Sequence, residues 1–79
     1  MYGEISFDAV VKRINRRLAK NDEKLRVARS ERARTEIGDF FIVDVAVNGL
    51  LATHVDPEAL ARVLGVLHAS ERVADRFRQ

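Results

Sequence analysis

The chain has no cysteine and no tryptophan, and only one proline and four glycines in 79 residues. Without cysteine there is neither a disulfide nor a thiolate metal site to support the fold. No apolar run approaches the roughly 18–20 residues that a membrane span requires. The opening MYGEISFDAV has no basic segment followed by an apolar one, and Tyr2 stands where N-myristoylation needs glycine. These absences set the expectation of a cytoplasmic protein with no membrane contact. G-x-S-x-G, H-E-x-x-H, Walker and G-x-G-x-x-G patterns are all missing. The expected cofactor list is therefore empty, and neither catalysis nor a small-molecule substrate is expected. No repeat, low-complexity tract or linker divides the chain, so a single small domain over residues 1–79 is expected.

What is present is ordinary globular material, 47% hydrophobic and 33% charged. A chain this short buries only ~60–65% of the surface its unfolded form exposes, so it must pack well or associate. The net charge of +2 hides a strong asymmetry. Residues 12–34 hold ten of the fourteen Lys and Arg against three acids, a local net of +7. The flanking segments carry −2 and −3. One third of the molecule is strongly basic, which bears on partners rather than on fold.

Ser6 is placed as the N-cap of a first helix, with Ile5 and Val10 positioned for a hydrophobic staple. Phe7, Val10, Val11, Ile14 and Leu18 recur at helical spacing, and Lys12, Arg13, Arg16, Arg17 and Lys20 fall on the opposite arc. Asn21-Asp22 ends that pattern. Residues 23–36 admit two readings. Leu25 and Val27 alternate with Arg26 as a short strand would, leaving residues 30–36 as a loop or a helical turn capped by Ser30. A continuous helix over residues 22–37 is the rival, with a thin stripe of Leu25, Ala28 and Ala33; strand then loop is preferred. Gly38 breaks the chain. Strands are expected over residues 39–47 and 50–55, joined by an Asn48-Gly49 type I′ turn, because both of its central positions need positive φ. That register sets Phe41, Val43, Val45, Val47, Leu50 and Ala52 on one face, taken as core. Phe40, Ile42, Ala46, Leu51 and Val55 then form a second apolar face, interrupted by Asp44 and Thr53.

Asp56 as N-cap, Pro57 at N1 and Glu58 in the first turn open another helix with a stripe of Leu60, Val63, Leu64 and Leu67. Gly65 suits the position after its C-cap, with Val66 as the accompanying apolar contact. Ser70 is placed to cap a short final helix carrying Val73 and Phe77. The expected class is α+β, in the order α-β-β-β-α: a three-stranded antiparallel sheet, two helices on one face and a short C-terminal helix.

Three features invite function. The cations Lys12, Arg13, Arg16, Arg17, Lys20, Arg26 and Arg29 are candidates for nucleic-acid or acidic-partner contact, since like charges at i, i+4 repel and a phosphate backbone relieves that repulsion. The second apolar face is covered either by the terminal segment with Val73 and Phe77 or by a partner or second copy, which makes Phe40, Ile42, Leu51 and Val55 a candidate protein interface. His54 and Asp56 form at most a two-residue constellation, read as a packed or rim histidine and a helix cap, with His68 facing solvent and no metal site expected. Asp44 is read as bonding Thr53 across the strands or as marking the solvent side.

The α-β-β-β-α order over residues 6–67 resembles the double-stranded-RNA-binding domain and the HicA-type mRNA interferase toxins of the same topology. The resemblance implies the architecture. The second helix, DPEALARVLG, lacks the lysine cluster of the RNA-binding domains, and the toxins' glycine-serine-histidine strand motif is absent. SFDAVVKRINRRLA and THVDPEALARVLGVL are also similar to small bacterial mobile-element proteins of unassigned function. The sequence thus points first to a non-enzymatic protein touching nucleic acid or a nucleoprotein complex through the basic helix. The alternative is a protein-interaction module, such as an anti-CRISPR-like inhibitor or a homodimeric regulator. A HicA-like ribonuclease is third.

Overall fold

Ser6 closes the first turn of the first helix as its sequence requires: Ser6 Oγ accepts from the Ala9 N–H at 3.2 Å. In the computed structural model, which describes residues 3–74, that helix, α1, spans Phe7–Leu18 and is preceded by a two-residue strand β1, Glu4–Ile5. A 3-10 turn, Ala19–Asn21, leads into β2, Glu23–Val27. A short helix α2, Glu31–Ile37, joins it to β3, Phe40–Asp44, and β4, Gly49–Ala52. Helix α3, Pro57–Val63, and a strand β5, Arg72–Val73, follow and are the last elements among the described residues.

The α+β class and the three-stranded antiparallel sheet, order β2-β3-β4, match the expectation. Residues 23–37 resolve as strand followed by helix: Ser30 Oγ accepts from the Ala33 N–H at 3.1 Å, so its cap nucleates α2 where a loop was the preferred reading. The expected C-terminal helix is replaced by β5, which pairs in parallel with β1. Arg72 N–H donates to the Gly3 carbonyl at 3.1 Å, and Ala74 N–H to that of Ile5 at 2.9 Å. Phe77 lies outside the described residues.

The core is one cluster: Val10, Ile14 and Leu18 of α1, Leu25 of β2, Phe40 and Ile42 of β3, Ala61 of α3, and Leu67. The Phe7 and Phe40 rings meet at 5.3 Å with a 47° tilt, fixing the start of α1 over the start of β3. This reverses the expected hairpin faces in part: Val43 is buried and Ala52 packs against the core, as expected, but the rest of β3 and the turn are reversed. Phe40 and Ile42 point into the core, 4% and 9% exposed, while Val45, Val47 and Leu50 are 53%, 75% and 53% exposed. The cause is the turn. Asp44 Oδ1 accepts from the Ala46 and Val47 N–H groups at 2.9 and 3.4 Å, an Asx-type capture that ends β3 four residues before Asn48. The loop is therefore residues 45–48 rather than a two-residue turn, and Asn48 takes positive φ (57°) while Gly49 does not. Asp44 makes no bond to Thr53. A register shift between Ile42 and Val43 then sets Val43 opposite Leu50 and Ile42 opposite Ala52, with Leu51 as the extra residue.

Helix α3 keeps its expected start, with Asp56 Oδ1 accepting from Glu58 and Ala59 N–H groups at 3.0 and 3.4 Å. It ends in a Schellman pair: Val66 N–H bonds the Ala61 carbonyl and Gly65 N–H that of Arg62, with Gly65 at φ 75°. Its buried residues are Pro57 and Ala61, the latter fully enclosed, whereas Val63 is 83% exposed. Helix α3 packs against α1, and with Ala61 turned inward Val63, two residues on, faces outward.

Candidate nucleic-acid interface

Alternation along β2 decides where its cations go. Leu25 is buried, so Lys24 and Arg26 project from the opposite face of the sheet, away from α1 and α3, and both are exposed. There Arg26 pairs with Phe41, and Lys24 with Val43, which pairs onward with Leu50. On the other side of this thin molecule, only 15 Å across in Cα extent, α1 turns Lys12 and Arg16 to solvent, with Arg17 and, in the following turn, Lys20 also exposed. The basic third of the sequence is thus divided between two faces. Arg29, after β2, is exposed as well.

The cations also differ in what they touch. Arg32 lies 3.5 Å from Glu36, Arg34 3.8 Å from Asp39 and Arg62 3.1 Å from Glu58. Arg13, expected on the free basic face, is instead a clamp. Its Nη1 lies 3.0 Å from both the Val66 carbonyl and Glu71 Oε1. By contrast, no carboxylate of the described residues lies within 4.0 Å of Lys12, Arg16, Arg17, Lys20, Lys24, Arg26 or Arg29. Lys24 was missed at the sequence level, though its alternation with Leu25 gave the signal.

Of the expected protein interface, Phe40 and Ile42 are buried core and Val55 packs against it, so none of the three is free; Leu51 alone is exposed, at 52%. Among the described residues the exposed large apolar side chains are Val45, Val47, Leu50 and Leu51 of the hairpin, with Val27 and Val63 exposed elsewhere.

The polar groups around His54 and His68 are structurally engaged. A shallow depression of about 440 Å³ is lined by Arg34, Asp39, His54 and Asp56 among others. Arg34 and Asp39 are paired, Asp56 caps α3, and His54 Nδ1 lies 3.2 Å from Thr53 Oγ1. His68 is exposed, as expected, and its N–H donates to Glu71 Oε1 at 2.9 Å. That bond, together with Arg13, holds the Glu71 carboxyl below the usual carboxylate range. Among the described residues no group of three or more His, Asp or Glu converges on a point that would hold a metal ion. No helix among them is long and apolar enough to cross a membrane.

No family model, curated protein or solved structure matches this chain.

Proposed function

We propose that this is a non-enzymatic cytoplasmic protein that contacts nucleic acid, alone or in a nucleoprotein complex, through the exposed face of α1. Lys12, Arg16, Arg17 and Lys20 lie against phosphates and position the protein on the duplex or strand without reading its sequence. One observation carries this reading: these four cations have no carboxylate partner among the described residues, while Arg13, Arg32, Arg34 and Arg62 each have one. Unpaired cations one helical turn apart repel each other, and a polyanion removes that repulsion while releasing its own counterions. No aromatic side chain sits among them on α1, which favours backbone contact over base stacking. The test is a binding titration against labelled duplex and single-stranded RNA and DNA, with Lys12→Glu/Arg16→Glu/Lys20→Glu as the comparison. Binding that survives the triple substitution contradicts the reading.

A second reading, a protein-interaction module, is favoured by the uncharged hairpin surface around Leu51. It does not compete for the same residues.

A further inference from the structure

The cations that lack a carboxylate partner among the described residues form two groups, and the fold keeps the groups apart. Lys12 and Arg16 point away from the core on α1, with Arg17 and Lys20 beside them. Lys24 and Arg26 leave the opposite face of the sheet, and Arg29 follows just beyond β2. Between the groups lies the thickness of the molecule, 15 Å in Cα extent. That exceeds the Debye length of ~8 Å at physiological ionic strength, so each face acts on its surroundings independently.

Strand parity makes the sheet face cationic. Lys24 and Arg26 stand opposite Val43, which is buried outside the core cluster, and Phe41. The acids of these strands, Glu23 and Asp44, are a register pair at the other parity, on the side of α1. Strand β4 has no charged residue. No carboxylate of the three strands therefore shares a face with Lys24 and Arg26.

One segment of nucleic acid cannot satisfy both groups. A duplex lying on α1 has the helix and the sheet between it and Lys24. A single strand wrapped round the β2 edge would run from Lys20 to Lys24 past Asp22, an exposed carboxylate that repels phosphate.

We infer that the two faces hold two separate segments of nucleic acid, so that one molecule of this protein bridges them. Helix α1 grips the first, and Lys24, Arg26 and Arg29 grip the phosphates of the second. The inference rests on the nucleic-acid reading above. The separation that makes the faces independent also screens the two segments from each other. Three cations against four make the sheet face the weaker grip, so it fills only at concentrations well above those that saturate α1.

The test is energy transfer between two duplexes of unrelated sequence, one carrying a donor dye and the other an acceptor. They are mixed with the full chain at about 50 mM salt, and the anisotropy of a trace of one duplex is the control. Transfer is expected at duplex concentrations above those that saturate the trace, in a complex that sediments as one protein with two duplexes. Lys24→Gln/Arg26→Gln should reduce transfer about tenfold or more and shift the trace affinity by less than about threefold, with an unchanged circular dichroism spectrum. Trace binding without transfer overturns the bridge alone. Absence of trace binding overturns the α1 reading as well. Transfer through a pair of proteins overturns the inference. So does an equal loss of trace affinity in Lys24→Gln/Arg26→Gln and Lys12→Gln/Arg16→Gln, which would put both groups on one segment.

Discussion

Arg13 on α1 and Glu71 near the C-terminal end of the described chain meet at 3.0 Å, and the same guanidinium nitrogen holds the Val66 carbonyl at 3.0 Å. Arg62 adds bonds to the His68 and Glu71 carbonyls at 3.2 and 3.0 Å. These contacts fasten the segment that carries β5 back to β1. Arg13→Ala should therefore speed hydrogen exchange at the Arg72 and Ala74 amides, which bond to Gly3 and Ile5, while leaving nucleic-acid affinity almost unchanged. Loss of affinity as large as that caused by Arg16→Ala would place Arg13 in the interface instead.

Acid should release the same segment. Glu71 has a folded pKa below its unfolded value, from the His68 N–H bond first and the Arg13 bond next. The stabilisation it provides is complete above the unfolded pKa of about 4.3 and disappears as pH falls through the lower folded value. Protection of the Arg72 and Ala74 amides, relative to their intrinsic exchange at each pH, should fall below about pH 4 in the native chain. In Glu71→Gln that pH dependence should be absent.

Of the four glycines, Gly38 is the least tolerant of a side chain. Its φ is +86°, and a Cβ there would lie 2.7 Å from the Cα of His54, whose N–H bonds the Ile37 carbonyl at 2.8 Å. Backbone against backbone leaves little to yield. Gly38→Ala should cost about 1–3 kcal/mol in urea unfolding. For a domain of this size that is a fall in melting temperature of very roughly 4–20 °C.

The contact between α1 and α3 yields a paired comparison. Ala61 is fully enclosed, so Ala61→Leu should destabilise by about 1–3 kcal/mol through overpacking. Val63 is 83% exposed, and Val63→Ala should stay within about 0.5 kcal/mol. Equal effects in equilibrium unfolding would return Val63 to the stripe that the sequence spacing gives it.

The start of α1 and both ends of α3 were legible in the sequence because their determinants are local. Ser6, Asp56 with Pro57, and Gly65 with Val66 each act within one turn of where they stand. The parity of β3 was not legible. The run FFIVDVAV is apolar at both odd and even positions, so a period-two pattern cannot say which set faces inward. The choice is made by long-range contacts, Phe40 on Phe7 and the Leu25–Ile42 pair, and by the Asp44 carboxylate, which competes with the Asn48-Gly49 turn for the hairpin. Likewise the cations of residues 12–34 were legible as a group. Their division between two faces, and the withdrawal of Arg13 to Glu71, follow from tertiary packing.

The salt dependence of binding tests the central claim most directly. Four phosphate contacts predict a slope of log affinity against log salt between about −3 and −4, which is a loss of roughly 100-fold between 50 and 200 mM salt. Fluorescence anisotropy with labelled duplex RNA and DNA measures this. Lys12→Glu/Arg16→Glu/Lys20→Glu should abolish binding, and Arg13→Ala should keep the native slope. Absence of binding at 50 mM salt, or an affinity that does not change with salt, contradicts the account.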